Sequence, residues 1–89
     1  MSRSTPRGVR PAEQRGDDEQ RRLDQLGERV RTMRRSLGLS QEQLAHEAGL
    51  HRAVIGFIER GEREMGVTML WPIAAALGVA VTELVDNIS

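Results

Sequence analysis

The stretch "GLHRAVIGFIERG", Gly49 to Gly61, decides how the chain is read. Two glycines bracket a segment in which Ile55 and Ile58 recur at helical spacing, which predicts a helix from about Arg52 to Arg60 with that pair on its inner face. The outer positions, His51, Arg52, Ala53, Val54, Gly56 and Phe57, are largely apolar. Just upstream, Ser40 and Gln43 make an S-x-x-Q capping box, in which each residue satisfies a backbone donor that the helix start leaves open. That box opens a helix with Leu44, Ala45 and Ala48 on its apolar face, and Gly49 stops it. A small residue at Ala45 lets the two helices cross closely, and glycine at 49 permits the positive φ that sets their angle.

Working outward, Leu23, Leu26, Val30, Met33 and Leu37 recur at intervals of three and four and mark one face of a first helix, which Gly38 ends. On the other side "EREMG" reads as a loop. Thr68 is the expected cap of a fourth helix carrying Leu70, Ile73, Ala74 and Leu77, with Pro72 in its first turn or just beyond and Gly78 closing it. A short fifth helix is expected near Val81 to Val85. Its cap position, Ala80, has no side-chain oxygen, at a cost of about 1 kcal/mol relative to Ser. Short helices closed by glycines, without any alternation of strand and helix patterns, predict an all-α, compact five-helix domain over residues 23–89. Residues 1–22 hold Pro6, Gly8, Pro11, Gly16 and many charges, with only Met1, Val9 and Ala12 apolar. They read as a disordered N-terminal arm, or as a basic arm able to follow a nucleic-acid groove.

With 89 residues the chain is long enough for one small domain and one core. Cysteine is absent, so disulfides and thiolate metal sites are excluded and stability must come from packing. Phe57 and Trp71 are the only aromatic residues, which leaves a core of Leu, Ile, Val, Met and Ala. No apolar run approaches the roughly 20 residues that span a bilayer, and the N-terminus lacks an apolar signal segment. The expectation is a soluble, intracellular protein. The net charge is zero, but it is unevenly spread: residues 1–22 carry +2 and residues 23–89 carry −2, and every base is Arg. Arg grips phosphate and guanine bidentately, although a GC-rich genome produces the same bias. An enzyme is not expected, since no nucleophile–His–carboxylate set and no phosphate-binding glycine loop is present. No metal or cofactor is expected either: His46 and His51 lie across a turn without a third ligand.

Two helices joined by a tight turn, the second anchored by paired isoleucines with its other face outward, meet the physical requirement of a helix-turn-helix unit. The run "LGERVRTMRRSLGLSQEQLAHEAGLHRAVIGFIERGERE", followed by "LWPIAAALGVAVTELV", resembles the Xre-type helix-turn-helix domains, the lambdoid phage repressor-like group. "GLHR…IERGER" is especially similar to restriction-modification controller proteins. The resemblance covers about Leu26 to Val85 and implies a sequence-specific DNA-binding transcriptional regulator, a repressor or autoregulator, bound to an inverted repeat as a homodimer.

That resemblance places several residues. Gln41 matches a glutamine that binds phosphate and buttresses the base readers, while Arg34 and Glu59 match an ion pair that ties helix 1 to helix 3, with Arg34 also within reach of phosphate. The outward positions of the recognition helix correspond to Arg52, Ala53, Val54 and Phe57. Arg52 can read guanine or hold phosphate, and the three apolar residues can meet thymine methyl groups. Val54 and Phe57 can equally fold back on the core edge. His51 stands where Ser or Thr usually caps, free to accept a hydrogen bond or face phosphate. Arg60 and Arg63 are expected on phosphate, opposed by Glu62 and Glu64, whereas Arg31 and Arg35 read as a solvated face. Trp71, Val81, Val85 and Ile88 are the expected dimer interface, and Val79 and Leu84 belong to the monomer core. A different class stays open: a protein-interaction module, such as an antitoxin-like partner binder, engaging its partner through Val54 and Phe57.

Overall fold

The computed structural model describes residues 12–62 and 66–88, and its elements are α1 (Ala12–Ser36), α2 (Gln41–Ala48), α3 (Arg52–Glu59), α4 (Val67–Leu77) and α5 (Val81–Val85). The fold is all-α. Its core takes one contribution from each helix: Val30 of α1, Leu44 and Ala45 of α2, Ile55 and Ile58 of α3, Ile73, Ala74 and Leu77 of α4, and Leu84 of α5. Each of the fully buried Leu and Ile side chains removes enough apolar surface from water to stabilise the fold by about 1.5–3 kcal/mol. No helix among the described residues is long and apolar enough to cross a membrane.

The local signals around α2 act as their chemistry demands. Ser40 Oγ accepts from the Gln43 amide at 3.0 Å, and Gln43 Oε1 accepts from the Ser40 amide at 2.7 Å. At the far end Gly49 takes φ 71°, and the Gly49 and Leu50 amides turn back to the carbonyls of His46 (3.2 Å) and Ala45 (2.8 Å). This Schellman arrangement satisfies the last carbonyls of α2 and swings the chain into α3.

Three local expectations are corrected. First, α1 begins at Ala12 rather than Leu23, so the helix takes in Ala12 to Arg22, which composition had assigned to a disordered arm; the residues before Ala12 lie outside the described set. Polar helix formers such as Glu, Gln and Arg sustain a helix once a packed segment nucleates it, even with no apolar face of their own. Second, Leu37 is 52% exposed, because α1 has already ended at Ser36 and the side chain no longer follows the buried stripe. Third, the cap of α4 is Gly66, not Thr68, and α4 opens at Val67. That earlier start puts Pro72 in the second turn of α4, where it costs one backbone hydrogen bond. Ala80 caps α5 without a side-chain oxygen, as expected, while its own amide donates to Glu83 Oε2 at 3.2 Å, which supplies half of a capping box.

The sharpest packing constraint lies where α1 crosses the end of α3. A β-carbon on Gly27 would stand 2.8 Å from the Glu59 carbonyl oxygen and closer still to that of Ile58. Only glycine allows the two backbones to approach this closely.

Candidate nucleic-acid interface

The candidate base-reading side chains sit on α3, and α3 is held in place by its inner face. Ile55 and Ile58 are buried, and from the same helix Arg52, Ala53 and Phe57 emerge exposed on the opposite side. Val54 is half-buried and packs against the core, so of the two fates open to it the core edge takes much of its surface. Phe57, at 38% exposure, remains outside. His51 occupies the cap position with extended backbone, but its side chain makes no capping hydrogen bond. Gly56 is buried beneath two neighbours: a β-carbon there would lie 3.1 Å from Arg60 Nη1 and 3.7 Å from Gln41 Oε1. The missing side chain leaves a shallow notch of about 170 Å³ in the outer face, lined by Gln41, Arg52, Ala53, Gly56, Phe57 and Arg60.

Behind the notch Glu59 joins three helices. Arg34 of α1 donates to both its carboxylate oxygens, from Nε at 2.6 Å and Nη2 at 3.0 Å. Gln41 of α2 donates from Nε2 at 3.0 Å, and Arg31 Nε lies 3.8 Å away. Glu59 is 3% and Arg34 8% exposed. Burial pushes the Glu59 carboxyl up, but the hydrogen bonds of Arg34 and Gln41, with the charges of Arg34 and Arg31, outweigh it and hold the group below the usual carboxylate range. The hydrogen bond to Glu59 raises the Arg34 guanidinium above its ordinary value, against the opposing effect of burial. Both groups are charged at neutral pH, and the cluster fixes α3 relative to α1 and α2.

This geometry changes several assignments. Arg34, expected within reach of phosphate, is turned inward instead: its third nitrogen, Nη1, donates to the Leu39 carbonyl at 2.8 Å, so all three nitrogens have protein partners and the residue is buried. Nor is Arg31 part of a solvated face, because its Nη2 donates to the Glu59 carbonyl at 3.0 Å and closes the C-terminal end of α3. Gln41 spends its amide nitrogen on Glu59, and its oxygen is the atom that faces the notch. Arg60 stacks over Phe57, 5.4 Å from the ring centre, and pairs with Glu62. Arg63 lies outside the described residues.

Away from α3, Trp71 is 60% exposed and Val85 is also exposed, whereas Val81 is half-buried against the monomer's own core. Ile88 is half-buried near α1, Val79 packs on the core, and Leu84 is fully buried. Sequence reading missed two long-range clamps. Arg29 donates to the carbonyls of Glu83 (2.8 Å) and Asp86 (2.8 Å) and so fastens α5 to α1. Gln20 donates to the Gly61 carbonyl at 3.0 Å. No periodicity marks a polar side chain whose partner is a distant carbonyl, so nothing local could have found them. No cluster of metal-ligating side chains occurs among the described residues.

Comparisons with known proteins agree with this architecture. The family described as helix-turn-helix matches residues 30–84. Control protein C.SmaI of Serratia marcescens is 47% identical over 62 residues, spanning 70% of this chain and 74% of its own. Control protein C.BamHI of Bacillus amyloliquefaciens is 44% identical over 62 residues, spanning 68% and 76%. The crystal structure of the restriction-modification controller protein C.AhdI from Aeromonas hydrophila superposes with a TM-score of 0.69 at 40% identity, covering 70% of this chain and 94% of that one. The chain therefore belongs to the Xre-type helix-turn-helix family of DNA-binding transcriptional regulators.

Proposed function

We propose that the protein is a cytoplasmic repressor or autoregulator that binds an inverted-repeat operator as a homodimer, with α3 in the major groove. The observation that carries this reading is the two-sidedness of α3: its isoleucines are locked in the core while Arg52, Ala53 and Phe57 stand exposed beside a notch flanked by two arginines. In this reading Arg52 takes guanine bidentately, a contact worth about 1–3 kcal/mol of discrimination, and Ala53 and Phe57 meet thymine methyl groups, with Val54 contributing what its half-burial leaves. Gln41, His51, Arg60 and Arg63 hold phosphates and set the register. A role without enzymatic chemistry belongs to the same proposal.

One module makes few contacts, so two half-sites about 34 Å apart supply the specificity that a genomic site needs. Exposed Trp71 and Val85 supply apolar surface for the partner copy, with Val81 and Ile88 at its edge. The controller proteins among the relatives support a regulatory role. A protein-interaction module built on Val54 and Phe57 is not the reading the relatives favour, and half-buried Val54 would leave Phe57 as its main apolar contact. Selection of bound sites from random duplex DNA tests the proposal. Enrichment of a palindrome that Arg52→Ala abolishes is the expected result, and no enrichment at low salt would overturn it.

A further inference from the structure

Arg60 closes α3, and the turn behind it is fixed from two sides. The amides of Gly61 and Glu62 donate back to the carbonyls of Ile58 (3.0 Å) and Phe57 (2.8 Å), the paired bonds of a Schellman end, with Gly61 at φ 70°. From α1, Gln20 holds the Gly61 carbonyl. Glu62 therefore leaves the turn at a set place beside Arg60. Its carboxylate accepts from Nε at 3.0 Å and from Nη2 at 3.3 Å. The third nitrogen, Nη1, lies back over Gly56, where any side chain would crowd it, and the guanidinium rests on Phe57. A glycine in the middle of α3 weakens the helix, yet here it lets Arg60 lie along the outer face instead of trailing into the loop. Arg52, in contrast, has no carboxylate partner among the described residues.

We propose that Glu62 is an intramolecular stand-in for a DNA phosphate: its two oxygens hold one edge of Arg60 in the free protein and yield that edge to a backbone phosphate when duplex DNA docks. The inference rests on the reading that α3 faces DNA. Carboxylate and phosphate present matching pairs of oxygens to the same guanidinium fork, so one replaces the other without moving Arg60. Both partners are about half exposed, at 50% and 53% of their side-chain surface, so the exchange strips little from water and takes place at the surface. Glu62 thus lowers the affinity that Arg60 can supply, because its own contact with the guanidinium must be given up before the phosphate takes that place.

Anisotropy titrations of the full chain onto a short mixed-sequence duplex, across a salt series, test this with wild type, Glu62→Gln, Glu62→Ser, Arg60→Ala and the Arg60→Ala/Glu62→Gln pair. Both Glu62 variants should bind about two- to fivefold more tightly at low salt, the range an exposed ion pair is worth. The slope of log affinity against log salt should stay close to wild type in both Glu62 variants, because Arg60 reaches the phosphate in each, and should flatten by about 0.9, one phosphate contact, in Arg60→Ala. Glutamine keeps an acceptor that Arg60 can still hold, so serine should give the larger gain. In the Arg60→Ala background the Glu62→Gln gain should fall below about twofold. Equal gains in both backgrounds would make Glu62 a simple repelling charge and overturn the proposal, as would no gain from either Glu62 variant or unchanged binding by Arg60→Ala. Failure of the wild type to bind the duplex at low salt would instead remove the DNA-facing reading, and this inference with it.

Discussion

Two arginine–glutamate pairs flank the end of α3, and they share one bonding pattern with opposite surroundings. In Arg34–Glu59 and in Arg60–Glu62 alike, Nε and Nη2 of the arginine meet the two oxygens of one carboxylate. The first pair joins separate helices and is closed to water, with side chains 9% and 1% exposed. The second joins near neighbours across a turn and stands half in solvent. Burial, not hydrogen-bond geometry, separates a fixed structural joint from a contact that a ligand can take over. Removing one member of the inner pair strands a charge where water cannot reach it, whereas the outer pair loses little because water replaces either partner.

The strongest way to break this comparison is Glu59→Ala. It should destabilise the protein by about 3–5 kcal/mol in urea unfolding, since Arg34 and Gln41 lose their acceptor inside the fold. If Glu59→Ala proved as mild as a surface change, the inner pair would be no joint at all. Acid probes the same joint more gently. Because the folded state holds the Glu59 pKa below its ordinary 4.5, this contribution is complete above that pH and is lost as pH falls through the lowered folded value. Glu59→Gln should flatten that part of the acid limb in pH-dependent unfolding, and an unchanged limb would assign it to other carboxylates.

The two glycines behind the pairs sharpen the contrast further. Gly27→Ala sets a β-carbon against the backbone carbonyls of Ile58 and Glu59, and it should cost about 1–3 kcal/mol despite alanine's better helix propensity. Gly56→Ala crowds the far end of the flexible Arg60 side chain and meets Gln41 Oε1 at ordinary contact distance. It should stabilise the fold by about 0.5–1 kcal/mol, raise Tm, and weaken DNA binding by moving Arg60. The smallest effect belongs to Glu62→Gln, whose unfolding free energy should stay within about 0.5 kcal/mol of wild type even as its DNA affinity changes.

How much was legible follows from the range of each interaction. The helix order, the capping box at Ser40 and Gln43, and the inward pair Ile55 and Ile58 were readable because each depends on residues a few positions apart. The start of α1 was not, since its first turns carry no apolar stripe for a periodicity to detect. Val54 was ambiguous in sequence because it borders the buried stripe, and only the packing of the neighbouring helices sets how much of it stays outside. Gly56 has no local reason for its place in α3, and only the position of Arg60 above it supplies one.

The sequence by itself determined an all-α chain with two helices nested around Ala45 and Gly49 and a candidate outward face beginning at Arg52. Caps, turns and apolar spacing are local physics, which every stretch of chain carries with it. The Arg34–Glu59 pair was implied by resemblance, but the tertiary structure alone decided that it is sealed from water, that Arg31 closes the end of α3, and that Gln20 steadies the turn at Gly61. These contacts join residues far apart in the chain, and whether a charge is buried or exposed depends on what the fold lays over it. Only that covering turns one Arg–Glu pair into a joint and leaves the other open to exchange.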